Sequence, residues 1–153
     1  MDKKRRDMIR IGSALSMAFA AGILKVGDVF GAEWNAKAFD AKSVDAALKA
    51  MGGDKFIVSP EVTITAPEIA ENGAVVPVAM SSALPNTEYM AILVEKNPSA
   101  MSAGFTIPKG TEPYISTRVK MGTTSNVVAL VKADGKWYAA VKEIKVTLGG
   151  CGG

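Results

Sequence analysis

The sequence predicts an all-β protein: an immunoglobulin-like β-sandwich of about seven strands, with one short N-terminal helix and a flexible Gly-rich C-terminal tail. Three observations point there. From Glu61 onward, strand-like runs are separated by turn signals at intervals of roughly 8–12 residues. Ile115, Thr117, Val119 and Met121 alternate with Ser116, Arg118 and Lys120, the pattern of a half-buried strand. The run VVALVKADGKWYAAVKEIKVTL sets two apolar arms on either side of Asp134-Gly135, a two-residue hairpin turn.

The chain opens with MDKKRRDMIRIGSALSMAFAAGILK. A basic head of Lys3, Lys4, Arg5, Arg6 and Arg10 runs into an apolar stretch from Ile11 to Leu24. As a helix that stretch would span roughly 21 Å, short of the ~30 Å hydrocarbon core of a bilayer. It therefore reads as a cleavable export signal and not as a stable membrane anchor. Arg5-Arg6 followed by Asp-Met-Ile-Arg resembles the twin-arginine signal consensus. Residues 1–32 are expected to be the signal, cleaved near 31 or 32, and the mature protein to reside in the oxidising periplasm. Residues 33–148 are then the helix and sandwich, and 149–153 a flexible arm.

In SVDAALKAMGG, Ser43 is a good N-cap, Val44, Ala47, Leu48 and Met51 form one apolar stripe, and Gly52-Gly53 stops the helix. Its expected role is to cover an edge or an end of a sheet. Val62 and Ile64 alternate with Thr63 and Thr65 until Pro67 ends the run. Residues 74–82 follow the turn Glu71-Asn72-Gly73, and Pro77 within them suggests an edge position or a bulge. Residues 87–95 are apolar on both faces and are expected to be central. Residues 100–107 give another strand, ended by Pro108-Lys109-Gly110. After the hairpin turn the apolar phase slips, from Trp137, Ala139 and Val141 to Ile144, Val146 and Leu148. A β-bulge near Lys142-Glu143 would absorb that slip. Met51, Met80, Met90, Met101 and Met121 read as core gap-fillers and not as copper ligands.

Composition narrows the chemistry. There is no His, which removes Ser-His and Cys-His nucleophile pairs and His-ligated metals. One Cys cannot form an internal disulfide or a Cys-rich zinc site. The formal charge of +3 comes from 18 basic and 15 acidic residues, of which residues 1–32 hold six and three. The remainder balances at 12 against 12, so nothing there supports a nucleic-acid partner.

The chain ends LGGCGG, so Cys151, the one cysteine, sits among Gly149, Gly150, Gly152 and Gly153. Glycine is costly to order and has no side chain to pack, so the segment is expected to be a thin mobile thread. Without Cβ atoms it can enter a narrow channel. No basic group adjoins the thiol in sequence to lower its pKa, so it is poorly placed to be a catalyst by itself. It can carry a covalent adduct. An intermolecular disulfide or an incidental cysteine are the other readings of these residues.

Three features together resemble the SoxY family: the terminal GGCGG, the twin-arginine-like signal, and the segment APEIAENGAVVPV over 66–78. That family comprises the sulfur-carrier subunits of the thiosulfate-oxidising Sox multienzyme system. The resemblance implies an immunoglobulin-like domain paired with a second all-β protein, SoxZ. It implies that Cys151 is joined oxidatively to thiosulfate by the haem enzyme SoxAX, and that the dimanganese enzyme SoxB hydrolyses off sulfate. The remaining sulfane sulfur would go to a molybdenum sulfur dehydrogenase or to storage. On this view the chain is a substrate holder and not an enzyme. It needs no cofactor of its own beyond the sulfur or thiosulfate adduct on Cys151. Two alternatives compete. A ubiquitin-like thiocarboxylate carrier would hold sulfur on the Gly153 carboxylate, and a structural sandwich module would dimerise through Cys151.

Overall fold

The structure, a computed structural model, describes residues 34–147. The chain divides into two units, Met1–Trp34 and Asn35–Gly153, and the fold below is that of the second.

Among the described residues two short helices come first, α1 (Ala36–Phe39) and α2 (Val44–Ala50). The Ser43 hydroxyl accepts from the Ala46 amide at 3.2 Å, satisfying one of the free donors at the start of α2. Gly52, at φ +82°, ends it in the left-handed region that a residue with a Cβ resists. Helix α1 was not legible: four residues are one turn, too few for a 3.6-residue period to show. Asn35 makes it possible. Its side chain accepts from the Ala38 amide at 3.1 Å and donates to the Ala50 carbonyl at 3.0 Å, joining the start of α1 to the end of α2.

Among the described residues nine strands follow: β1 (Ile57–Val58), β2 (Val62–Thr65), β3 (Ile69–Ala70), β4 (Val76–Ser82), β5 (Thr87–Val94), β6 (Met101–Thr106), β7 (Tyr114–Val119), β8 (Ser125–Ala133) and β9 (Lys136–Val146). They form a larger sheet in the order β1-β9-β8-β5-β6, with β3 also on β9, and a smaller sheet β2-β4-β7. The seven strands longer than two residues are those expected. The extra two, β1 and β3, each add a two-rung parallel ladder to β9. The all-β immunoglobulin-like sandwich is thus the observed architecture.

The larger sheet is buried on both faces. Toward the smaller sheet, Met90, Ile92 and Val94 of β5 and Val127, Ala129 and Val131 of β8 pack against Val76, Val78 and Met80 of β4. On the opposite face, Ala91, Leu93, Val128, Leu130, Trp137 and Ala139 pack against Ala38, Ala47 and Leu48 of the helices. The helices therefore lie on the face of the larger sheet, not at its edge or end. An interior strand at the centre of a sheet, apolar on both sides, needs such a second cover. Burying each large side chain is worth about 1.5–3 kcal/mol, so the helix layer contributes a sizeable part of a net stability of roughly 5–15 kcal/mol.

That two-sided burial also removes the expected bulge. β8 and β9 pair without interruption from Ser125↔Ile144 to Ala133↔Lys136. Trp137 and Ala139 face the helices, whereas Tyr138, Ala140, Ile144 and Val146 face the smaller sheet. The apparent slip is one strand buried first on one side and then on the other. The register shifts fall on β5 instead, between Thr87 and Tyr89 toward β8 and between Ile92 and Leu93 toward β6. Pro77 needs a similar correction. Its strand, β4, is central in the smaller sheet, but the rungs to β2 stop at Ala79, so Pro77 pairs only with Arg118. The missing N–H falls where β4 has become a local edge. Met80, Met90, Met101 and Met121 are buried, as gap-fillers should be.

Tyr89 lies on the helix-side face, edge-on to Trp137 with ring centroids 6.2 Å apart, and covers Gly104 where a Cβ would collide with its ring. Burial pushes its hydroxyl pKa above the usual 10.0, because the phenolate would lose its hydration. With the folded value above the unfolded one, this contribution to stability is intact below about pH 10 and is lost as pH rises through the folded value. Ultraviolet titration should show a late tyrosine step above the usual 10.0, and Tyr89→Phe should remove it. A titration whose latest step is unchanged in Tyr89→Phe would contradict the burial effect.

Candidate functional site

The sequence places the chemistry on Cys151, Gly149, Gly150, Gly152 and Gly153, and the export signal on Arg5 and Arg6. All of these lie outside the described residues. What the structure describes is the root from which the cysteine segment departs, four residues before Cys151.

That root is the end of β9, and it is held from both edges. The β8 ladder ends at Ser125↔Ile144. Beyond that rung, the Thr124 hydroxyl accepts from the Val146 amide at 2.9 Å. On the other edge, the Lys145 amide donates to the Glu68 carbonyl at 2.9 Å and the Thr147 amide to the Ala70 carbonyl at 3.1 Å. These bonds accompany the parallel rungs Ile69↔Lys145 and Ala70↔Val146. The Lys142 ammonium donates to the Ala66 carbonyl at 2.6 Å, tying the lead-in of β3 to β9.

Local sequence explains why residues 66–71 run here. Pro67, lacking an N–H, cannot extend the β2 ladder and releases the chain from the smaller sheet. Ala70 is buried and Ile69 is exposed, so the segment docks through its small side chain and its backbone. The Asn72 carboxamide then accepts from the Ala74 amide at 2.9 Å, a side-chain turn that sends the chain back into β4.

Two further loops are tied at this end. Asn97 donates from its side chain to the Lys120 carbonyl at 2.7 Å and accepts from the Gly122 amide at 3.3 Å. The Met121 amide donates to the Gly73 carbonyl at 2.7 Å. The loops around residues 72, 97 and 121 thus form one hydrogen-bonded platform at the end of the sandwich where β9 stops. A cleft of about 760 Å³, lined by residues including Asn86, Glu88, Lys109 and Asp134, lies at the start of β9, the other end of that strand. It is remote from the root.

Among the described residues, no group of three or more His, Cys, Asp or Glu side chains is placed to hold a metal ion. Among them, no helix is long and apolar enough to cross a membrane. Sequence reasoning missed Thr124 and the bonds to residues 68 and 70. Pro67 as a strand stop, the turn Glu71-Asn72-Gly73 and the family-like segment over 66–78 mark this stretch in the sequence, but none of them indicates that it flanks the root.

Comparison with known proteins bears on this arrangement. The family model described as "Sulfur oxidation protein SoxY" matches residues 47–151, a span that includes Cys151. The chain is similar to the structure of the sulfur carrier protein SoxY from Chlorobium limicola f thiosulfatophilum. The two are 41% identical with a TM-score of 0.64, over 74% of this chain and 100% of that one. A chain from a structure described as "Structural basis of T cell specificity and activation by the bacterial superantigen toxic shock syndrome toxin-1" aligns at 16% identity and a TM-score of 0.41, over 56% of this chain and 98% of that one. No curated protein sequence matches the chain.

Proposed function

This chain belongs to the SoxY family, sulfur carriers of the Sox system that are not catalysts, and from that premise we propose that it holds its sulfur covalently on Cys151. The observation that carries the reading is that the family match reaches Cys151, the one thiol in the chain, four residues past Thr147, whose amide is held in the fold by the Ala70 carbonyl. Gly149, Gly150, Gly152 and Gly153 give the thiol a thin, Cβ-free thread on which to travel.

The chemistry balances on a thiol. The Cys151 S–H and thiosulfate combine to a cysteine S-thiosulfonate with release of one proton and two electrons, which pass to a haem partner such as SoxAX. Water then attacks the terminal sulfonate. The sulfur–sulfur bond to that group breaks, sulfate and two protons leave, and a persulfide anion remains on Cys151, a step suited to the dimanganese hydrolase SoxB. Oxidation of the sulfane sulfur, with oxygen from three waters, gives a cysteine S-sulfonate, with six protons released and six electrons passing to the molybdenum sulfur dehydrogenase. A second hydrolysis then releases sulfate and one proton and regenerates the thiol, whereas transfer of the sulfane sulfur to storage regenerates it directly. The carrier supplies only the sulfur atom of attachment and its delivery, so its lack of His costs the cycle nothing. Tethering raises the effective concentration of the substrate once the domain has docked.

Residues 1–32 act in this reading as a twin-arginine signal led by Arg5 and Arg6, and the mature carrier works in the periplasm, paired with SoxZ. An oxidising compartment favours sulfur–sulfur bonds at a thiol. Mass spectrometry of the C-terminal peptide, from protein purified out of thiosulfate-grown cells, tests the proposal. Sulfane or thiosulfonate mass on Cys151 is expected. A modified Gly153 carboxylate would support the thiocarboxylate alternative, and a simple disulfide dimer the structural one.

A further inference from the structure

We propose that Thr124 and the segment 68–70 form a clamp that sets where the carrier thread begins, with Thr124 as a positioning residue for sulfur delivery. The inference rests on the reading of Cys151 as the attachment point. β8, the main neighbour of β9, makes its last rung at Ile144. With nothing further, residues 145–147 would lengthen the thread. Instead, all three amides are held on alternating edges: Lys145 by the Glu68 carbonyl, Val146 by the Thr124 hydroxyl, and Thr147 by the Ala70 carbonyl. The Thr147 hydroxyl also lies 3.5 Å from the Glu71 carbonyl. The Val146 side chain packs at the margin of the core between the sheets, which fixes the strand from below.

The difference in reach is large on the scale of an enzyme channel. From a pivot at Thr147, Cys151 is four residues away and can extend about 14 Å; from Ile144 it would be seven residues away and extend about 24 Å. Effective concentration falls roughly as the −3/2 power of tether length, so lengthening the tether from four residues to seven dilutes the thiol about twofold. The clamp fixes the end of β9 at the same end of the sandwich as the platform of tied loops. A partner that docks on that platform receives the sulfur within a short, defined radius.

Thr124→Val keeps the shape of the side chain and removes the acceptor for the Val146 amide, and Thr124→Ser restores that acceptor. In the full chain with its partner enzymes, Thr124→Val should lower thiosulfate-dependent kcat by up to about twofold with little change in KM for the carrier, because the platform still docks while delivery is less ordered. Amide exchange across residues 145–147 should quicken about three- to tenfold, the loss of one hydrogen bond. Both effects should vanish in Thr124→Ser. Thr124→Ala serves the same purpose should the valine variant fail to fold. Faster exchange with unchanged kcat would overturn the clamp as a delivery device, and unchanged exchange would overturn the clamp itself. In either case a sulfur adduct on Cys151 of the variant leaves the carrier reading standing. Absence of the adduct from both variant and parent would remove that reading and the inference with it.

Discussion

Cys151→Ser is expected to bring thiosulfate-dependent turnover down to background while leaving the folded domain unchanged. The loss should be complete because the chain has one cysteine, so no second thiol can substitute. A serine hydroxyl neither ionises near neutral pH nor forms the sulfur–sulfur bond on which the cycle depends. Stability should hold because both cores are built from residues between Ala38 and Val146. The denaturation midpoint should move by no more than a surface substitution does, about 0.5 kcal/mol or less. Turnover with the partner enzymes, a urea titration and partner binding measured on one preparation check all three statements. Undiminished turnover would sink the carrier function. In the same assay Gly152→Val keeps the thiol but adds a branched side chain to the thread, and it should slow transfer without abolishing it.

Trp137→Ala should cost about 3–5 kcal/mol, the largest stability effect expected of a single truncation in this domain. Trp137 is 5% exposed and stands where the helix layer meets the larger sheet, among Leu48, Leu93, Leu130 and Ala139. A Cβ placed on Gly53 would lie 2.6 Å from the Trp137 Nε1 atom, so the chain leaving α2 passes directly over the indole. Tyr89 meets its ring edge-on. Truncation would open a cavity beneath both helices and leave Tyr89 without its partner. In a domain with roughly 5–15 kcal/mol of net stability, the variant would be near unfolding at elevated temperature. Urea unfolding measures the cost directly, and Trp137→Phe, which refills much of the cavity, should recover more than half of it. A cost below about 1 kcal/mol would mean that the helix layer is held by something other than this contact.

The strands were legible where one face is wet and the other dry, as in Tyr114–Val119, because the side-chain period of a strand is then printed in the sequence. β9 was misread for the opposite reason. Its apolar residues serve two cores, and a change of core resembles a change of register when only one buried face is assumed. Helix α1 and strands β1 and β3 left no periodic trace because each is one turn or two residues long. Pro77 announced an edge correctly, but the edge is a few residues of one strand and not the strand as a whole. The candidate site divides in the same way. The thiol and its glycines stand out by composition. The root is made of backbone carbonyls at 68 and 70 and one threonine hydroxyl, groups that nearly every segment of a chain possesses.

β9 bonds to β8 on one edge and to β1 and β3 on the other, and all three precede it in the chain. During synthesis the larger sheet therefore stays open along that edge until residues 136–146 have left the ribosome. β1 and β3 have no ladder to join before then, since β9 is the strand each pairs with. Non-local pairings of this kind form late and leave the growing chain exposed in the meantime. A product that stops short of Lys136 lacks the strand that closes the sandwich as well as the thiol beyond it. An export route that accepts only folded cargo would reject such a product before it crossed. Completion of the fold would then certify that synthesis had come within a few residues of Cys151.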